Sequence, residues 1–239
     1  MKTGIILQAR MGSTRLPGKV LKYIGPKTLL DHIIFRLSYL RHTAKVVIAT
    51  SNHPRDDILE LYSRSRSVSF WRGSEQDVLE RYYLCAKQHG FNHIVRLTGD
   101  NPFVDIEEID HLIDLHLERH SEYTHSFDSL PVGCGAEIFS FKALERSYFC
   151  GKKPNHREHV NEYIQENPEL FRIASLRVPS KKNRHDLRLT VDTEDDYKKA
   201  CFIVNHSQSE YIATETAIEQ YLKFNSESKV KSVCRPMHQ

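Results

Sequence analysis

The chain has 239 residues, 39% of them hydrophobic and 27% charged, with a formal net charge of +3; that supplies one sizeable core and leads us to expect a single large domain. Acidic and basic residues are mixed along the chain, with local basic clusters only at 10–22 and 181–188, so the basic stripe needed for extended nucleic-acid binding is missing and a small anionic ligand fits better. Five scattered cysteines without a C-x-x-C pair argue against a disulfide framework or structural zinc, and the lack of a long apolar run or signal-peptide pattern leads us to expect a cytoplasmic protein without membrane contact.

The first two-thirds of the chain alternates short β-branched runs with helical patterns, the signature of an α/β fold with a mainly parallel central sheet. Gly4 to Gln8 is expected as the first strand. Leu29, Leu30, Ile33, Ile34, Leu37 and Leu40 recur at helical spacing, giving a helix over 28–41, followed by a strand over 45–50. The cycle continues with a helix at 56–63, a strand at 68–71, a helix at 75–89, a strand at 93–98 and a helix at 106–119. An irregular excursion follows at about 121–170, with a short strand at 123–126, a turn at Gly133-Cys134-Gly135, and helices at 142–149 and 156–165. Strands at 172–178 and 187–191, a helix at 194–205 and a last helix at 212–223 complete a domain over 1–224. Residues 225–239 read as a polar tail without fixed structure.

Immediately after the first expected strand comes Gln8-Ala9-Arg10-Met11-Gly12-Ser13-Thr14-Arg15-Leu16-Pro17-Gly18-Lys19. Its place at the carboxyl end of a parallel strand is where open α/β sheets bind ligands. Gly12 lets backbone N–H groups approach oxygens, Ser13 and Thr14 add hydroxyls, and Arg10, Arg15 and Lys19 supply three cations, roughly matching a triphosphate. Val20 follows Lys19, so the Walker spacing is absent, as is G-x-G-x-x-G. Asp100 in the turn Gly99-Asp100-Asn101-Pro102 and Asp192 before a helix each end an expected strand. On residue type alone each is equally a turn former or helix cap.

The run from Ile5 to Leu21 closely resembles the signature loop of the sugar-acid cytidylyltransferases, the 3-deoxy-manno-octulosonate and acylneuraminate enzymes, and within them the spore-coat polysaccharide branch. The resemblance continues through Arg72-Gly73-Ser74-Glu75-Gln76-Asp77-Val78-Leu79-Glu80-Arg81-Tyr82, Arg96-Leu97-Thr98-Gly99-Asp100-Asn101-Pro102 and Leu189-Thr190-Val191-Asp192-Thr193-Glu194-Asp195-Asp196, in the expected order. It implies a Rossmann-like three-layer nucleotidyltransferase fold, a homodimer, and transfer of CMP from CTP to a small acidic acceptor with release of pyrophosphate. By the resemblance, Asp100 and Asp192 hold Mg²⁺, a pair that suits the one or two carboxylates this ion takes beside phosphate oxygens. Arg10 and Lys19 join them as catalytic residues. Ala9, Arg10, Gly12, Ser13, Thr14, Arg15, Lys19, Arg72, Gly73, Ser74 and Asp77 form the expected nucleotide site, although Ser74 or Glu75 could equally just start the helix. Glu137, Arg157 and His159 are the expected acceptor residues, against an alternative in which His159 sits within an ordinary helix. The chain matches neither the acylneuraminate loop spacing nor the full octulosonate acceptor pattern, leaving the acceptor open. Two other functions fit the same sheet: a glycosyltransferase using a nucleotide-sugar donor, although Asp100-Asn101-Pro102 lacks the D-x-D pair, and a non-catalytic nucleotide-binding protein.

Overall fold

A computed structural model describes residues 2–233. The central sheet runs β1 (Thr3–Gln8), then, past a small hairpin of β2 (Tyr23–Ile24) and β3 (Lys27–Thr28), α1 (Leu29–Leu37), β4 (Lys45–Ser51), α2 (Asp57–Ser65), β5 (Ser69–Gly73), α3 (Val78–His89), β6 (His93–Thr98) and α4 (Ile106–Glu118). The excursion contributes β7 (Tyr123–His125), β8 (Glu137–Ser140), α5 (Phe141–Cys150), α6 (Pro154–Glu158), α7 (Glu162–Glu166) and β9 (Ile173–Ser175). The chain ends on α8 (Glu194–Asn205) and α9 (Thr214–Val233). The strand order is β5-β4-β1-β6-β8-β7-β9; the first four are parallel, β8 is antiparallel to both its neighbours, and β9 lies parallel to β7.

Three layers follow from the alternation of side chains along the strands. Ile5 and Leu7 of β1 pack with α1 and α4 on one face, while Ile6 packs with α3 and α5 on the other. A third cluster joins Leu16 of the N-terminal loop to Leu189, Val191, Ala200 and Ile203, seating α8 beside that loop.

Several element boundaries differ from expectation for local reasons. Helix α3 begins only at Val78, because the Asp77 carboxylate accepts from Glu80 N at 2.8 Å and is the cap in place of Ser74 or Glu75. The helix expected over 156–165 is two short helices, interrupted where His159 is extended (φ −113°, ψ 109°). The strand expected at 172–178 is reduced to Ile173–Ser175. Leu187, Leu189 and Val191 alternate into the core as a strand would, but their neighbour is a turn and not a strand. Only a single bridge, Val132 to Arg188, forms. The tail expected to lack structure is helical through Val233, and its remainder lies outside the described residues.

Gly133 sets that unpaired segment in place. Its φ is +98°, and a Cβ there would lie 2.5 Å from Thr190 N, so turn 130–134 and segment 187–191 touch backbone to backbone. Val132 N donates to Leu187 O and Leu189 N to Val132 O, at 2.9 and 2.7 Å. Gly133→Ala combines strained backbone with a steric overlap; we expect a loss of about 2 kcal/mol or more, read as a fall of roughly 4–8 °C in thermal unfolding for a chain of this size.

Candidate active site

The loop after β1 leaves the carboxyl edge of the parallel sheet and is held by its own backbone. Met11 O accepts from Ser13 N and Gly18 N at 2.9 and 3.1 Å, and Met11 N donates to Asp56 Oδ1 at 2.7 Å. Asp56 is fully buried and also accepts from the Ser51 hydroxyl at the end of β4, so the neighbouring strand anchors the loop. At Gly12 a Cβ would lie 2.7 Å from Arg55 Cζ, a close approach that only glycine permits without displacing that side chain.

Strand β6 ends beside β1 and delivers Asp100 to the same edge; Val191 N donates to Asp100 O at 2.8 Å and so delivers Asp192 next to it. The Lys19 ammonium lies between them, 2.8 Å from Asp100 Oδ2 and 2.7 Å from Asp192 Oδ1. Thr98 Oγ1 donates to the other Asp100 oxygen at 2.6 Å, Arg15 lies 3.1 Å from Asp192, and Arg188 pairs with the second Asp192 oxygen. Burial works to raise the Asp192 carboxyl, but Lys19, with Arg15 and Arg188, outweighs it and holds the group below its ordinary value of 3.8. Two carboxylates offering one oxygen each to a single cation form a pair that fits a divalent ion.

Two cavities border this point and a third adjoins the first. The first, about 320 Å³, is lined by Gln8, Ala9, Arg10, Gly12, Ser13, Thr14, Arg15 and Lys19 on one side and by Arg96, Thr98, Asp100 and Asp192 on the other. The second, about 570 Å³, shares Arg96, Thr98, Asp100 and Asp192 with it and adds a half-apolar wall including Phe127, Pro131 and Val132, with His159 and Arg188. The third, about 550 Å³, shares only Gln8, Arg10 and Arg96 with the first and extends to Glu75, Gln76, Val78, Glu158 and His159.

The structure thus brings the expected loop residues, Asp100 and Asp192 around one cavity, and sets His159 between two others. It does not bring the remaining expected residues there. Arg72 pairs with Asp57 and Glu60 and donates to the carbonyls of Ser51 and His53; Gly73 ends β5, and the Ser74 hydroxyl accepts from Asp77 N. Asp77, besides capping α3, accepts the Arg157 guanidinium at 2.7 and 2.5 Å. Arg157 also donates to Tyr148 O and lies over the Tyr148 ring, so its donors are engaged within the protein and away from an acceptor. Glu137 is fully buried in β8 and can touch no acceptor directly; it pairs instead with Arg96 at 2.5 Å. Lys182, from the basic cluster at 181–188, is buried among Asp105, Glu107 and Glu108.

Sequence reasoning gave no role to Gln8, Arg96, Arg188 or Asp56. The signal for Arg96 was a charge inside the apolar run His93–Thr98; for Asp56 there was none, since an aspartate before a helix reads as an ordinary cap.

The Lys19 bridge makes a prediction. Lys19→Met leaves Asp100 without its ion-pair partner and Asp192 with only Arg15 and Arg188, and urea unfolding at pH 7 should show a loss of about 1–3 kcal/mol. Because the folded Asp192 value is depressed, its contribution is complete above 3.8 and is lost as pH falls through the folded value. The gap between wild type and variant should therefore shrink as titration proceeds into acid.

A family profile described as cytidylyltransferase matches residues 4–226. The spore coat polysaccharide biosynthesis protein SpsF of Bacillus subtilis is 39% identical over 198 residues, covering 81% of this chain and 82% of its own. Among solved structures, a cytidylyltransferase from Leptospira borgpetersenii serovar Hardjo-bovis superposes over 100% of both chains with TM-score 0.88 and 32% identity. CMP:2-keto-3-deoxy-manno-octonic acid synthetase complexed with CTP shares the fold, with TM-score 0.66 at 17% identity over 86% of this chain and 99% of its own. A cation-rich loop and two converging aspartates at the carboxyl edge of such a sheet, together with a profile spanning nearly the whole chain, place this protein in the cytidylyltransferase family.

Proposed function

We propose that the protein transfers CMP from CTP to an acidic sugar and releases pyrophosphate, in the synthesis of a surface polysaccharide. The observation that carries this reading is the pair of carboxylates converging on one cation at the border of the first and second cavities. The similarity to SpsF and the fold shared with the octonic acid synthetase support the sugar-acid acceptor and the pathway class.

The cavities divide the substrates by what they share. The first, where Arg10, Arg15 and Lys19 of the loop line the wall, takes the triphosphate. The second also borders Asp100 and Asp192, so an acceptor held there reaches the α-phosphorus opposite the departing pyrophosphate. The third contacts the phosphate site through Arg10 and Gln8 without the aspartates, and takes the nucleoside; the Gln8 side-chain amide, whose buried Oε1 has no partner among the described residues, is suited to a base edge. An acceptor oxygen then forms its bond to the α-phosphorus as the bond to pyrophosphate breaks. Arg10, Arg15 and Lys19 neutralise the phosphates, and the second cavity positions the acceptor. Asp100 and Asp192 would hold a Mg²⁺ ion, which when bound would supply charge neutralisation for the phosphates.

Exposed Leu170 just before the edge strand β9 and exposed Ile173 within it fit a homodimer joined through the excursion. No helix among the described residues is long and apolar enough to cross a membrane, and use of CTP fits a cytoplasmic site of action.

The test is pyrophosphate release from each of the four common nucleoside triphosphates with a panel of acidic sugars and Mg²⁺. We expect turnover with CTP, a loss of about 10²-fold or more in Asp100→Asn and Asp192→Asn, and no turnover after chelation of the metal. Near wild-type rates in either variant would overturn the assignment. A nucleotide-sugar donor consumed without pyrophosphate release would favour glycosyl transfer.

A further inference from the structure

Arg96 lines all three cavities, and no other residue does. In CTP one atom group has the corresponding position. The α-phosphate is bonded to the nucleoside on one side and to pyrophosphate on another, and the acceptor attacks it. If the three cavities hold these three parts, the α-phosphate lies where they meet. Resting on the reading of the site as a CTP site, we propose that Arg96 is a further catalytic residue whose guanidinium donates to the non-bridging oxygens of the α-phosphate, with Glu137 and Tyr123 as the residues that position it.

The surroundings of Arg96 suit that task. Its side chain is 18% exposed, rising from β6 on the face that carries Ile94 and α3. One end of the fork is fixed: Nη1 donates to Glu137 Oε1 at 2.5 Å, and Glu137, 0% exposed, accepts from the Tyr123 hydroxyl on its other oxygen at 2.5 Å. Asn161 donates in turn to Tyr123 at 3.4 Å. Arg96 also lies over the Tyr82 ring, 5.8 Å from its centre. A buried carboxylate therefore takes one guanidinium nitrogen, while Nε has no partner among the described residues. A guanidinium carries five N–H donors, so donors remain for a ligand without disturbing the Glu137 pair. Charge builds on the non-bridging α-oxygens as the phosphorus takes a fifth neighbour, and a cation already fixed in direction stabilises it without reorganising at the moment of reaction.

The test reads nucleotide affinity and needs no acceptor. Removing Arg96 alone would strand a buried carboxylate, so the principal variant is R96M/E137Q, which removes both charges together; R96K keeps the charge and loses the fork. Calorimetric titrations with CTP, CMP and cytidine, at constant Mg²⁺, separate the α-phosphate from the rest of the ligand. We expect R96M/E137Q to lose about tenfold or more in affinity for CMP and CTP, to bind cytidine within about twofold of wild type, and R96K to recover part of the loss. Glu137→Gln alone should fall between wild type and the double variant. The proposal is overturned if the double variant binds CMP as wild type does, or if cytidine affinity falls as far as CMP affinity, the sign of a purely structural role. Should the double variant fail to melt cooperatively, the CMP-to-cytidine affinity ratio of R96K decides by the same criterion. A wild-type protein that binds no CTP would instead refute the reading of the site on which the proposal stands.

Discussion

Three stretches of chain meet at one nitrogen. Lys19 is 81 residues from Asp100 and 173 from Asp192, yet its ammonium lies within hydrogen-bonding distance of both. That contact requires the loop after β1 to close on Met11 O, β6 to run parallel to β1, and segment 187–191 to lie against Asp100 through the Gly133 contact. Without the Lys19 ammonium the two carboxylates would face each other with only Arg15 and Arg188, both on Asp192, to offset them, an arrangement like charges resist. The cation that fixes the site's geometry is also one of the groups that neutralise the substrate's phosphates, so folding and binding draw on the same charge.

The parallel half of the molecule was readable because its information is local. Apolar runs alternating with helical spacing require a sheet covered on both faces, and a cation-rich, glycine-containing loop directly after a strand has few other uses. The excursion resisted the same method. Leu187, Leu189 and Val191 carry the alternation of a strand, but pairing depends on a partner, and the partner turned out to be a turn. His159 interrupts a helical pattern with an extended backbone that no local signal announces.

Side-chain roles were harder to read than elements, for a related reason. Arg157, Asp77 and Arg72 have the chemistry of ligand-binding residues, and the resemblance placed them there; in the fold Arg157 and Asp77 bind each other, and Arg72 binds Asp57, Glu60 and backbone carbonyls. A charged residue satisfied inside the protein is indistinguishable in sequence from one presented to a substrate. Arg96 shows the converse: within a strand it was given no role of its own, and three-dimensional neighbours make it a lining residue.

The reversal of direction at β8 has a consequence of its own. Because β8 runs antiparallel to β6, Glu137 stands directly opposite Arg96 in the ladder, and Tyr123 on β7 reaches the same carboxylate from two places along. A slip of β8 by one residue would turn Glu137 to the other face of the sheet and leave a guanidinium and a carboxylate apart, each in apolar surroundings. Ile138 and Phe139 are both fully buried, on opposite faces, so greasiness alone discriminates weakly between the two alignments. The ion pair acts as a registration mark for the strand, and a cell that selects for the correct alignment of β8 keeps a cation at the meeting point of the cavities as a by-product.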